Sequence, residues 1–134
     1  MRLGTPPEAD CWKVALEFPT DDIPDAPREL LATVPLRDEA MSVSAVWGKS
    51  FQSGGKMLGH VLDPRSGEPA PSAMLAAVAL PSATETDALS TALLVAGGAG
   101  IDQIAGLRSG MRALVAGKTE KGIDVKARGI SNVR

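Results

Sequence analysis

An almost wholly apolar run, Met74 to Leu80, constrains the fold of this chain more than any other stretch. A strand that is apolar on both sides must be covered on both faces, so it belongs inside a layered domain. Ser82 follows closely, with Glu85 three residues later, which is the capping-box pattern of a helix N-terminus. We predict a helix from there to about Ala96, where a glycine pair ends it.

Other stretches rich in apolar residues, some of them alternating, lie on either side of this centre. They predict strands at Trp12 to Phe18, Leu30 to Leu36, Met41 to Trp47, Lys56 to Leu62, Met111 to Ala116 and Ile123 to Arg128. A turn at Gly54 and Gly55 would join the third and fourth of these as a hairpin, and a second, shorter helix is expected at about 100–107. The chain of 134 residues is therefore predicted to be one α+β domain, a mainly antiparallel sheet with two helices on one face.

The predicted helix is apolar around most of its circumference. Four residues point in one direction, and two polar residues, Asp87 and Thr91, lie nearly opposite; the apolar four are Leu89, Ala92, Leu93 and Ala96. Leu94 and Val95 lie beside the polar pair, so this side also needs a cover. We expect another segment or chain to cover it, with the ligand between.

Composition excludes several classes of function. A net charge of −2 and an aromatic content of 3% argue against nucleic-acid binding, which needs clustered cations and stacking rings. Cys11 is the only cysteine and His60 the only histidine, so an internal disulfide and a cysteine-based or histidine-rich zinc site are excluded. The sequence has no apolar export signal and no stretch long enough to span a bilayer, which predicts a cytoplasmic protein.

Two segments carry the side chains that matter for chemistry. His60 comes just before a predicted turn, Asp63 to Gly67, and Asp87 and Thr91 are one helical turn apart on the same side of the helix. An imidazole, a carboxylate and a hydroxyl can together handle a phosphate and a hard metal ion such as Mg²⁺. Purely structural roles are the alternative, since Asp87 favours the helix dipole and Thr91 can bond back to a carbonyl.

The same two segments resemble the C-terminal part of the ApbE family, the FAD:protein FMN transferases. The stretch Gly59 to Pro69 is similar to the family's histidine, apolar pair and Asp-Pro-Arg-Thr-Gly, and Thr86 to Leu93 is similar to its Asp-Ala-Leu-Ser/Ala-Thr-Ala helix. The resemblance covers nearly the whole chain but leaves the family's N-terminal part, which supplies much of the flavin pocket, without a counterpart. A separate N-terminal half or a second copy of the chain is therefore the expected cover. The chain departs from the family at Met41 to Trp47, where members usually show Thr-Ser-Gly and an aromatic residue.

The resemblance implies an enzyme that transfers FMN from FAD to a Ser or Thr hydroxyl of a target flavoprotein, using Mg²⁺ and releasing AMP. It implies Asp87 and Thr91 as metal ligands and His60 beside the diphosphate, with His60 and Asp87 as the catalytic residues. Asp87 could instead accept the proton of the attacking hydroxyl. Asp63 is a further candidate for cofactor binding, although an aspartate before proline more often forms a turn. We expect the His60 ring and the Asp87 carboxylate within roughly 10 Å of each other.

Two other functions fit the same residues. The chain could be a non-catalytic remnant that keeps the fold and the metal pair without turnover. It could also be a diphosphatase that cuts FAD to FMN and AMP with water as the acceptor. Covalent flavin on an acceptor protein separates the transferase from both.

Overall fold

The computed structural model describes residues 4–19, 28–47, 50–70, 73–131 and 133. In chain order its elements are β1 (Trp12–Pro19), β2 (Arg28–Leu36), β3 (Ala40–Ala45), β4 (Ser50–Ser53), β5 (Lys56–Gly59), β6 (Leu75–Leu80), α1 (Ala83–Ala96), α2 (Ile101–Ala105), β7 (Arg112–Thr119) and β8 (Gly122–Arg128). The predicted α+β class is confirmed.

A four-stranded antiparallel sheet in the order β3-β6-β7-β8 forms the centre of the molecule. All six residues of β6 are buried, as the two-sided apolar run predicts. Three of them are alanines, at positions 76, 77 and 79, and these small side chains allow the covering layers to pack close to the strand.

The two faces of this sheet carry different layers. One face packs against a two-stranded antiparallel ribbon of β1 and β2; its core includes Leu16, Leu31, Val34, Leu36, Leu75, Ala77 and Leu114. The other face packs against α1 and α2; its core includes Ala76, Val78, Leu80, Leu93, Leu94, Ile101 and Val115. The helices therefore lie on one face, as predicted.

The predicted hairpin between Met41–Trp47 and Lys56–Leu62 is wrong. β3 pairs with β6, whereas β5 ends at Gly59 and pairs with β4 across the Gly54–Gly55 turn. Both turn glycines have positive φ (57° and 76°), as a two-residue hairpin loop requires. The reason for the difference is that a fully buried strand needs hydrogen-bond partners on both edges, and β3 satisfies one edge of β6 while β7 satisfies the other.

Candidate active site

The turn after His60 is built around the Asp63 carboxylate. Its Oδ1 accepts from the backbone N–H of Arg65 at 2.9 Å, and the Arg65 guanidinium donates to both oxygens, with Nη2 2.6 Å from Oδ2. The Asp63 carbonyl accepts from the N–H of Gly67 at 2.8 Å, and Gly67 has the positive φ of 73° that the sequence predicts. A bridge between Leu62 and Pro69 closes the loop. The predicted turn is confirmed.

Asp63 is buried although it is charged, and Arg65 compensates it. The hydrogen bonds from Arg65 pull the pKa of the Asp63 carboxyl down to about 2, against a weaker opposing effect of burial. Because both the backbone N–H and the guanidinium of Arg65, within the turn itself, donate to it, this carboxylate organises the loop that carries His60. Its role as a direct cofactor contact stays a prediction.

We expect the turn to loosen in acid. A carboxyl whose folded-state pKa is lowered stabilises the fold above its ordinary pKa near 4 and loses that contribution as the pH falls through about 2. Protection of the Gly67 amide, which is its exchange rate compared with the intrinsic rate at the same pH, should therefore fall between about pH 4 and pH 2. Asp63→Asn should abolish this pH dependence, whereas Asp10→Asn, in the exposed lead-in, should preserve it; equal behaviour of the two variants would contradict the assignment.

Helix α1 begins where the sequence predicts. Ser82 is the N-cap, and its Oγ accepts from the backbone N–H of Glu85 at 3.3 Å. The Glu85 carboxylate accepts from Arg108 Nε at 2.6 Å, which ties the start of the helix to the turn before β7. Gly97 ends the helix with φ 64°, also as predicted.

The face that α1 turns to the sheet differs from the predicted one. The buried residues of the helix are Thr86, Ser90, Leu93 and Leu94, whereas Leu89, Ala92 and Ala96 are only half-buried. Two hydroxyl residues can be buried here because β3 meets them with hydroxyls: Ser42 Oγ lies 3.0 Å from Thr86 Oγ1, and Ser44 Oγ lies 2.9 Å from Ser90 Oγ. Asp87 and Thr91 are consequently on the exposed flank of the helix, beside β3.

Two hydroxyls of α1 contact the backbone carbonyl of Asp87, and a third, from β3, contacts both of them. Ser90 Oγ donates to this oxygen at 3.0 Å, and Thr91 Oγ1 lies 3.3 Å from it. Ser44 Oγ is 3.0 Å from Thr91 Oγ1, so the strand reaches the predicted metal-binding hydroxyl directly. Ser44 was not among the residues that the sequence predicted for the site. The sequence pattern that could have pointed to Ser44 is a pair of serines two residues apart on one face of β3, combined with a Thr-Ser pair four residues apart on the helix.

His60 and Thr91 line one open groove of about 760 Å³. The other lining residues are Val43, Ser44, Ala45, Trp47, Val61 and Leu62. Val43 is 46% exposed and Leu62 49%, which is unusual for large apolar side chains and gives the groove an uncovered apolar wall. Asp87 is exposed one helical turn before Thr91. The structure thus brings the imidazole and the hydroxyl to one groove, with the carboxylate on the same helix.

The oxygen ligands at this site are of the type that a hard cation prefers, but there are too few of them to complete its coordination. Mg²⁺ takes six oxygen ligands and commonly keeps water or phosphate oxygens among them. Asp87 and Thr91 offer a carboxylate and a hydroxyl on one helix flank. Across the described ranges, no group of three or more His, Cys, Asp or Glu is placed to hold a metal. A Mg²⁺ here would need oxygens from a bound phosphate, from water or from residues beyond those described.

Comparison with known proteins gives consistent matches. The model of the ApbE family matches residues 1–115. The FAD:protein FMN transferase of Escherichia coli K12 is 32% identical over 87 residues, covering 64% of this chain and 24% of the relative. The same enzyme of Klebsiella pneumoniae is 30% identical over 91 residues, covering 67% of this chain and 25% of the relative.

Solved structures give the same result for the fold. The apo form of the flavinyl transferase ApbE of Pseudomonas stutzeri has a TM-score of 0.67 at 27% identity, covering 94% of this chain and 37% of that one. The ApbE protein of Thermotoga maritima has a TM-score of 0.68 at 24% identity, over 89% of this chain and 36% of that one. The chain thus spans about a quarter of the length of the curated relatives it matches and little more than a third of these structures.

Proposed function

Because the chain belongs to the ApbE family, we propose that it takes part in transferring FMN from FAD to a Ser or Thr hydroxyl of an acceptor flavoprotein, with Mg²⁺ as cofactor and AMP as leaving group. The curated relatives are named FAD:protein FMN transferases. The chain matches only the C-terminal part of these relatives, so we infer that an N-terminal portion of the family fold, on the same polypeptide or on another, closes the groove from outside.

The observation that carries the proposal is the groove shared by His60 and Thr91. Its wall combines apolar side chains, including Val43 and Leu62, with an imidazole and hydroxyls. A flavin nucleotide has the matching chemistry, a large planar ring joined to a charged diphosphate. Ligand sites in general pair an apolar wall with a few placed polar groups.

The proposed reaction is a phosphoryl transfer. The acceptor oxygen forms a bond to the phosphorus on the FMN side of the diphosphate. The bond from that phosphorus to the bridging oxygen breaks, and the bridging oxygen leaves with AMP. The hydroxyl proton passes to a base. Catalysis of this kind depends mainly on positioning and on stabilising the charge that develops on the phosphoryl oxygens.

The four candidate site residues then have proposed roles. Asp87 and Thr91 would hold Mg²⁺ through oxygen, and the ion would supply positive charge to the phosphoryl oxygens when bound. His60 donates a hydrogen bond to the diphosphate. Asp87 is also a candidate to accept the acceptor's proton. We assign Asp63 an indirect role, because its carboxylate and Arg65 shape the turn that places His60 at the groove.

The experiment that tests the proposal is an assay for covalent flavin. The chain is incubated with FAD, Mg²⁺ and an acceptor flavoprotein, with and without the N-terminal portion of the Escherichia coli relative. The acceptor is then examined by in-gel fluorescence and mass spectrometry. We expect flavin on the acceptor, AMP in solution, and a strong dependence on the N-terminal portion.

The other outcomes separate the alternatives. Release of FMN and AMP without labelling of the acceptor would replace the transferase by a diphosphatase. Failure of the combined components to bind FAD, under conditions in which both are folded, would favour the non-catalytic remnant. Either result contradicts the proposed function.

His60→Ala should slow flavin transfer by about a hundredfold, the usual cost of removing one donor that stabilises transition-state charge. The change should appear in kcat, because the lost hydrogen bond is strongest when charge develops on the diphosphate. Glu68→Gln, an exposed position in the same loop, serves as the control and should keep its rate. A variant at position 60 with an unchanged kcat would remove His60 from the mechanism.

A further inference from the structure

Three hydroxyls on β3 and α1 make more hydrogen-bond contacts than they have protons. The contacts join Ser44 to Ser90 (2.9 Å), Ser44 to Thr91 (3.0 Å), Ser90 to the Asp87 carbonyl (3.0 Å) and Thr91 to the same carbonyl (3.3 Å). Each hydroxyl donates one proton, so three of these four contacts can be hydrogen bonds at one time. The shortest three form one directed chain, from Thr91 to Ser44, from Ser44 to Ser90, and from Ser90 to the carbonyl.

We propose that Ser44 is a positioning residue, which accepts the Thr91 proton and thereby turns the lone pairs of Thr91 Oγ1 toward the groove. In this arrangement the Thr91 oxygen accepts no hydrogen bond from Ser44 or Ser90. Two other arrangements compete with it. If Ser44 donates to Thr91, one of those lone pairs is used and the close Ser44–Ser90 contact is left unmade, although fully buried Ser90 needs a partner for its oxygen. If Thr91 donates to the Asp87 carbonyl, it makes the longest of the four contacts, 3.3 Å, and the 3.0 Å contact between Ser44 and Thr91 is left unmade.

The burial of its inner members indicates that this series of hydroxyls is well ordered rather than a mobile surface contact. Ser90 and Thr86 are completely buried, and Ser44 is half-buried between the sheet edge and the helix. Thr91 is exposed and lines the groove, so it is the outer end of the chain. A threonine in a helix divides between two χ1 rotamers when nothing selects one. The rotamer seen here makes two contacts, one with Ser44 at 3.0 Å and a longer one with the Asp87 carbonyl at 3.3 Å, and the shorter contact with Ser44 contributes more to the selection.

The neighbouring pair on the same strand provides a matched control. Thr86 Oγ1 donates to the Ala83 carbonyl at 2.8 Å, and Ser42 Oγ lies 3.0 Å from Thr86 Oγ1. The two hydroxyl protons of Ser42 and Thr86 are enough for these two contacts, and the series of hydrogen bonds ends at a carbonyl of the helix. Ser42 thus makes the same kind of strand-to-helix bond as Ser44 without touching Thr91.

The consequence for metal binding rests on the proposed function. An oxygen held with its lone pairs toward the groove is ready to bind a cation, whereas a freely rotating hydroxyl must be ordered first. Loss of one such hydrogen bond should weaken cation binding by about three- to tenfold. A residue with a merely structural role would lower stability without this specific effect.

The test compares Ser44→Ala, Ser44→Thr and Ser42→Ala in the full chain by NMR. Three-bond couplings to the Thr91 methyl carbon should show one dominant χ1 rotamer in the wild type, in Ser44→Thr and in Ser42→Ala. In Ser44→Ala only the longer contact with the Asp87 carbonyl remains, so a second rotamer should become clearly populated. Affinity for Mn²⁺ in the presence of FAD, followed by electron paramagnetic resonance, should fall only in Ser44→Ala.

The rotamer result decides the positioning role without any assay of transfer. An unchanged Thr91 rotamer in Ser44→Ala, or the same change in Ser42→Ala, would overturn it. A changed rotamer with unchanged Mn²⁺ affinity would overturn the link to the metal. Absence of flavin transfer by the wild type would contradict the proposed function alone, because the rotamer comparison does not depend on turnover.

Discussion

Asp87→Ala should lower flavin transfer by about a thousandfold or more and remove its dependence on Mg²⁺. The reason is that a carboxylate brings full charge to the ion, and the bound ion contributes several kcal/mol to stabilising the transition state. Thr91→Val should weaken metal binding less, because a hydroxyl brings only a dipole. Transfer rates over a Mg²⁺ series and calorimetry of metal binding measure both effects.

The control for Asp87 is an aspartate on the other helix. Asp102 lies in the first turn of α2, where it accepts from Arg128 Nε, and its side chain is 70% exposed. Asp102→Ala should change neither the rate nor the Mg²⁺ dependence. Equal metal affinity in the wild type and in Asp87→Ala would remove Asp87 from the site, whatever its effect on the rate.

Leu31→Ala should destabilise the chain by about 2–5 kcal/mol, the usual cost of truncating a buried leucine. Leu31 is 2% exposed and belongs to the core between the β1–β2 ribbon and the central sheet. Small domains have a total stability of only about 5–15 kcal/mol, so this variant should unfold at a much lower urea concentration. Urea unfolding followed by circular dichroism gives the free energy directly.

The adjacent residue offers a matched comparison. Leu30 is 49% exposed on the same strand and points away from this core. Leu30→Ala should cost well under about 1 kcal/mol, because the truncated atoms already face water. Equal losses in Leu30→Ala and Leu31→Ala would mean that the ribbon does not pack on the sheet as described.

The part of the fold that the sequence predicts is the part governed by local rules. The apolar run of β6, the Ser82 cap and the Gly97 stop each follow from a residue's own chemistry, and all three are confirmed. The strand that pairs with β3 could not be predicted from local rules, because the pairing depends on which strand edge needs hydrogen bonds. Alternating apolar residues fix the faces of a strand but carry no information about its neighbour.

The candidate site shows the same division. Spacing alone places Asp87 and Thr91 on one side of α1, and the turn around Asp63 follows from its Asp-Pro and Gly residues. The buried face of α1 was not predictable from hydropathy, because Thr86 and Ser90 are buried through hydrogen bonds with β3. A polar residue becomes a core residue when its partner is supplied, and that partner is more than 40 residues away in the sequence.

None of the helices that can be described in this chain is long and apolar enough to cross a membrane. The expectation of a cytoplasmic location stays a prediction. The location of the acceptor flavoprotein would bear on it, because enzyme and acceptor must meet in the same compartment.

We propose that FMN transfer uses His60 and Thr91 in the groove of this chain together with Asp87, one helical turn before Thr91. The most direct test replaces the matched C-terminal segment of the Escherichia coli FAD:protein FMN transferase by this chain and measures covalent flavin on an acceptor by intact mass. The chimera should attach one FMN per acceptor with Mg²⁺ present, and its Asp87→Ala version should attach almost none. A folded chimera that binds FAD but labels no acceptor, or one that works equally well without Asp87, would contradict the claim.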